Sequence, residues 1–415
     1  MSLDVGETAP FEGAEAARRV RRRRVLYFHG FDPAPTERYR RLIARAGAER
    51  GGTPPAMSAV GPLSPVSEGW RITARGGAGP LETPVETVFE ILRYEDVVRQ
   101  WRARPLLARL GSGAAALARF AATGGLRRVF SFSKGPAGLL FYPVVILSAF
   151  LVAGAAAGGA LGDLAGLGWG DAGAALGALL GLWASVRAER ALFSHLMLGL
   201  FEFLFRLAAD RPPSGRMEMR EAEFAARIAE SIAAAEADGV DEILIVGHSL
   251  GAVIAIRALA AAMRIDVDLS GGRARLSLLT LGSVGGYVSA AGGPGAEAYG
   301  EDMILVASDP DIFWLDVSSK RDWFSFGLVD PLLMLEAAPA AARSPKVISA
   351  KFGPARPDPE DRRTRFRAMS LHMKYLAAPD RQGAFDFLAA AAGGETLEAR
   401  FRDRRDSPQA RLRLL

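Results

Sequence analysis

The five residues Gly247-His248-Ser249-Leu250-Gly251 stand between an apolar run, "EILIV", and a helix-forming stretch, "AVIAIRAL". A G-x-S-x-G spacing at a strand-to-helix junction holds a serine in a sharp turn. A side chain at either glycine would collide with the neighbouring strand or helix. The turn lifts the Ser249 Oγ to the C-terminal edge of a sheet, and there the Leu250 N–H, opening a helix, can face a developing oxyanion. A hydroxyl of this kind is a weak nucleophile without a base. The histidines are His29, His195, His248 and His372. His248 adjoins the serine with its side chain directed away from it, and His29 precedes the serine. His195 falls in an apolar helix, where a packed ring is expected. In the order serine, acid, histidine the base follows the nucleophile, which leaves His372. The stretch "DIFWLDVSSKRDWFSFGLVDP" offers Asp316, Asp322 and Asp330 as the acid. Asp316 lies within the strand and is the weakest choice. Asp322 follows the strand by a few residues and is preferred, with Asp330 as the alternative. The carboxylate would orient His372 and stabilise its imidazolium.

These residues need a sheet to hold them. A strand is expected at Val25–Phe28, ending in His29-Gly30, followed by a helix from Thr36 to about Arg50. Two more strands are expected at Trp70–Ala74 and Val85–Leu92 around the turn "RGGAGP". A helical stretch then runs from Glu95 to near Phe120. From Glu218 helices and strands alternate: a helix to about Ala237, the strand Glu242–Val246, the helix Leu250–Met263 and the strand Leu276–Leu281. A helix or loop at Glu297–Val306, strands at Ile312–Val317 and Lys346–Ala350, and a terminal helix from Arg381 to about Ala392 complete the series. Such alternation predicts an α/β fold with a largely parallel sheet and helices on both faces.

Between the two halves the composition changes. Leu139–Leu161 carries no charge and, at about 1.5 Å per residue, is long enough to cross a hydrocarbon core. A second apolar segment, Leu164–Val186, is interrupted by Asp171. Gly154, Gly158 and Gly162 in the first, and Gly173, Gly177 and Gly181 in the second, line one helical face each and permit close backbone approach. Arg127, Arg128, Lys134, Arg187 and Arg190 flank the pair, while Asp163 and Asp171 lie between. That bias predicts a membrane hairpin with both ends, and the catalytic domain, in the cytoplasm of a bacterial-type inner membrane. Ala191–Leu207 is expected to lie in the membrane interface or to cover the protein core. It breaks at Arg211-Pro212-Pro213.

The chain has 415 residues, a net charge of +5 and no cysteine, which excludes disulfides, cysteine-ligated zinc and a thiol nucleophile. The arginines at 18, 19 and 21–24 read as a solvated lead-in or a contact for anionic lipid. Nothing resembles a nucleic-acid-binding module, so no nucleic acid is expected. No cleavable signal peptide is visible near the N-terminus.

Taken together, the turn at Gly247–Gly251, the His29-Gly30 turn and the late His372 resemble an α/β-hydrolase of the lipase/esterase-like kind, over roughly residues 24–50 and 218–392. The middle departs from that pattern. The resemblance implies a second oxyanion donor, the Phe31 N–H, at the His-Gly turn. The expected organisation is a basic lead-in at 1–23, hydrolase segments at 24–126 and 211–395, an inserted hairpin with its amphipathic helix at 127–210, and a basic tail at 396–415. The expected activity is hydrolysis of a small-molecule or lipid ester by a membrane-anchored enzyme, with no cofactor and no metal. Acyl transfer or thioester cleavage by the same groups, and a non-catalytic membrane scaffold, are the alternatives.

Overall fold

The computed structural model describes residues 19–50, 53–75, 84–165, 169–209, 215–265, 274–335, 345–355 and 366–407. Its strands are β1 (Arg22–Phe28), β2 (Ala56–Met57), β3 (Gly61–Ser64), β4 (Ser67–Arg75), β5 (Pro84–Leu92), β6 (Glu242–His248), β7 (Arg275–Leu281), β8 (Ile312–Ser318) and β9 (Lys346–Ser349). They form one nine-stranded mixed sheet in the order β2-β4-β5-β1-β6-β7-β8-β9, with β3 paired to β4. From β5 to β9 every pairing is parallel, while β2, β3 and β4 run antiparallel. The sequence pattern explains the division. All of β6 is buried, as a continuous apolar strand in a two-sided parallel sheet must be. In β4, Trp70 and Ile72 turn inward while Arg71 and Thr73 face out, the alternation of a half-exposed antiparallel strand. The short strands β2 and β3 have no apolar run and were not expected.

Strand β1 leads towards β5 on one side, and β6 leads towards β7 on the other. The chain therefore diverges at the C-terminal ends of two adjacent parallel strands and opens a crevice there. The loop after β1 and the turn after β6 both reach it.

Three expectations change. The helix foreseen from Glu95 to near Phe120 is two helices, Glu95–Arg102 and Leu106–Ala122, because Pro105 cannot continue the first. The terminal helix is confined to Phe387–Ala392, followed by Leu397–Phe401. Of the arginine run, Arg19, Arg21 and Arg22 are exposed, but Arg23 is not part of a solvated lead-in. β1 begins at Arg22, and the buried Arg23 bonds Glu242 at 2.7 Å and the carbonyls of Gly393 and Glu395 at 2.8 and 2.5 Å. The turn at 76–83 and the break at 210–214 lie outside the described residues.

The insertion between β5 and β6 contains two long antiparallel helices, Lys134–Leu164 and Gly170–Leu192. Their glycines face one another as the spacing predicts. A Cβ on Gly154 or Gly158 would overlap the Gly177 or Gly173 carbonyl. Leu161, Leu176, Leu180 and Trp183 are exposed on their outer surface. Among the described residues one helix, Lys134–Leu164, is long and apolar enough to cross a membrane. The next helix, Ser194–Ala208, is largely buried and covers the core. His195 is packed there, with Nε2 3.2 Å from Ser185 Oγ.

Candidate active site

Ser249 links the end of β6 to the helix Leu250–Arg264 with φ +60° and ψ −122°. A positive φ is costly for a residue with a Cβ, and its surroundings enforce it. The Ser249 N–H donates to the Leu281 carbonyl at 2.9 Å. A Cβ on Gly247 would overlap Ala252, and one on Gly251 would overlap the Phe28 carbonyl. Both glycines are thus required by the close approach of strand and helix. Although Ser249 occupies the N-cap position, its side chain makes no capping hydrogen bond. The hydroxyl is not used to hold the helix.

His372 ends the short helix Arg367–His372 and is buried. Its Nδ1 lies 2.9 Å from Asp322 Oδ2. The same carboxylate accepts the Tyr375 hydroxyl at 3.0 Å and the Phe324 N–H at 3.0 Å. An ionised carboxylate is an acceptor only, so Nδ1 donates to it, and in the neutral ring Nε2 would then present a lone pair. That Nε2 is buried with no hydrogen-bond partner among the described residues. Phe324 stacks on the ring, centroids 4.4 Å apart. At Gly282 a Cβ would crowd Tyr375 and lie 3.1 Å from Asp322 Oδ2, so this glycine makes room for the acid and its tyrosine.

The other acids do different work. Asp330 accepts the Leu332 N–H at 2.9 Å and caps a short 3-10 turn. Asp316 is buried within β8 and accepts the Thr280 hydroxyl at 2.6 Å. Burial pushes its carboxyl up to about 7. Of the three candidates, only Asp322 is hydrogen-bonded to His372.

The loop after β1 completes the crevice. His29 is buried, donates from Nδ1 to the Gly30 carbonyl at 2.7 Å and stacks on Tyr94 at 3.9 Å. The Asp32 N–H turns back to the Gly30 carbonyl at 2.7 Å, and the Asp32 side chain pairs with Arg38. A Cβ on Gly30 would stand 3.3 Å from Ser249 Cβ, so a side chain here would crowd the serine. No hydrogen bond engages the Phe31 N–H among the described residues. A cavity of about 40 Å3 is lined by Gly30, Phe31, His248, Ser249, Phe324 and His372, with Leu196, Met197 and Leu200 closing it from the helix after the hairpin.

The structure thus brings Ser249, His372 and Phe31 around one cavity from separate parts of the chain, with Asp322 behind His372 and bonded to its Nδ1. An arrangement of this kind can deprotonate a hydroxyl through a neutral imidazole and offer backbone N–H groups to an anion. Tyr375 and Tyr39, which contact the acid and His248, carried no spacing signal in the sequence. Among the described residues no cluster of side chains could hold a metal ion. No family model matches the chain, and no curated protein or solved structure matches it.

Proposed function

We propose that the chain is a serine hydrolase of the α/β-hydrolase, lipase/esterase-like kind, cleaving a carboxylic ester through an acyl-enzyme. The observation that carries this reading is the His372–Asp322 pair, whose free Nε2 shares a cavity with a serine in a strained strand-to-helix turn. In the reaction, Ser249 Oγ attacks the ester carbonyl carbon as His372 Nε2 takes the hydroxyl proton. Negative charge gathers on the former carbonyl oxygen, for which the Leu250 and Phe31 N–H groups are the donors. Collapse expels the alcohol, which leaves with the proton from His372. Water, deprotonated by the same nitrogen, then attacks the acyl carbon and regenerates Ser249. Asp322 holds the ring in the required tautomer without taking a proton itself.

The cavity lining is mainly apolar, from Phe31, Leu196, Met197, Leu200, Phe324 and Met369, which favours an apolar acyl group. Methionines adapt readily to irregular ligands. The glycine-packed hairpin, with its exposed leucines and Trp183, reads as a membrane anchor. By the basic residues at its root, both of its ends face the cytoplasm. A lipid or similarly apolar ester is the substrate class this combination suits.

Labelling of the full chain with a fluorophosphonate tests the assignment. The wild-type protein should be labelled and Ser249→Ala should not. A folded wild-type protein that resists the probe would reject the hydrolase reading in favour of a non-catalytic scaffold.

A further inference from the structure

The residue before the serine faces the base. The His248 ring lies 5.0 Å from that of His372, with 30° between their planes. Its Nε2 is 3.0 Å from the His372 main-chain carbonyl. Its Nδ1 is 3.3 Å from the Tyr39 hydroxyl, which accepts the Gly30 N–H at 3.1 Å. For a neutral ring one proton arrangement fits these contacts. A carbonyl oxygen accepts, so Nε2 carries the hydrogen and donates to His372. If the ring is neutral, Nδ1 is then an acceptor and takes the Tyr39 proton, leaving the phenol oxygen to receive the Gly30 N–H. Neutrality follows from the surroundings: burial first, then the nearby His372, push His248 down to about 3.

We infer that His248 and Tyr39 are positioning residues that tie the oxyanion loop to the backbone of the base. This rests on the serine-hydrolase reading above. Gly30 immediately precedes Phe31, so the bond from its N–H to Tyr39 fixes one end of the turn that aims the Phe31 N–H. His372 is the last residue of a six-residue helix, too short to hold itself rigidly. The bond from His248 to its carbonyl supplies a fixed point on the sheet, since His248 is the last residue of β6. One neutral imidazole at the end of β6 therefore links the helix that carries His372 and, through Tyr39, the loop at Gly30. Small errors in such alignments are amplified in rate, because a misplacement of about 1 Å can cost about 100-fold.

The test measures hydrolysis of 4-nitrophenyl butyrate and fluorophosphonate labelling by full-length protein carrying His248→Ala, His248→Gln or Tyr39→Phe, with melting temperature as the folding control. His248→Ala should lower kcat about 10- to 100-fold with KM nearly unchanged. His248→Gln, whose amide can reach the His372 carbonyl, should recover most of that loss. Tyr39→Phe, which keeps the ring and removes the hydroxyl, should lower kcat about 10-fold. Wild-type kcat in a folded His248→Ala protein would overturn the inference while leaving the hydrolase reading intact. Failure of Gln to restore kcat in a folded protein would do the same. If His248→Ala does not fold, Tyr39→Phe decides: a lowered kcat supports the linkage and an unchanged one removes it. A folded wild-type protein that is neither labelled nor active would overturn both.

Discussion

At φ +60° Ser249 occupies backbone space that glycine enters freely and other residues enter at a cost of about 1–3 kcal/mol. Ser249→Ala keeps that strain and loses only the hydroxyl, whereas Ser249→Gly loses both. The glycine variant should therefore melt higher than the alanine variant, by roughly 1 kcal/mol of stability; equal melting points would show that the turn is unstrained. The acid offers a second comparison at this scale. Asp322→Asn should reduce turnover of 4-nitrophenyl butyrate by about 10⁴-fold, since the amide favours the wrong tautomer of His372. Asp330→Asn alters a cap on a 3-10 turn and should act mainly on melting temperature. Equal losses of turnover would refute the assignment. Sequence order narrowed the acid to a short run and favoured Asp322 for its position just after the strand. The distinction rests on where the chain places His372, fifty residues beyond Asp322.

Among the elements, β8 carries a buried carboxyl that links stability to pH. Asp316 keeps its proton in the folded state up to about 7, whereas an unfolded chain releases it near roughly 4. Between those values the folded protein binds more protons than the unfolded one, so its stability is full at the acid end and falls as pH rises. The loss should total about 4 kcal/mol by pH 8, of which roughly 3 kcal/mol falls between pH 5 and pH 8, and Asp316→Asn should remove this part of the slope. Urea unfolding at pH 5 and pH 8 measures it, and an unchanged slope in the variant would show that Asp316 does not titrate in that range. The long strands were legible because their apolar runs are local. Strand β1 was read as starting at Val25, three residues late, because the partners that neutralise Arg23 are Glu242 and the carbonyls of Gly393 and Glu395. Nothing near residue 23 announces them. β2 and β3 escaped notice for a related reason: they gain their strand geometry from pairing with β4, not from an apolar pattern of their own.

For the molecule as a whole, the hairpin is the feature on which the proposed membrane anchoring rests. The native chain has no cysteine, so introduced pairs report without background. A Cβ at Gly159 would lie 3.5 Å from that of Ala174, within the span of a disulfide. Gly159→Cys with Ala174→Cys should cross-link on mild oxidation in isolated membranes, and adding Gly177→Leu, which forces the helices apart, should prevent it. The wild-type chain should stay with membranes through alkaline carbonate extraction; its release would remove the anchor from the proposal. The glycine spacing made this contact legible in advance, whereas the apolar stretch Ala191–Leu207 allowed either interface or core cover, and packing selects cover. The Ser249 turn is suspended between a strand with every residue buried and a helix buried along most of its length. Elements so enclosed open only when the whole domain does. On gradual heating, catalysis and architecture should therefore disappear in a single step, with no interval in which an intact body has already gone silent.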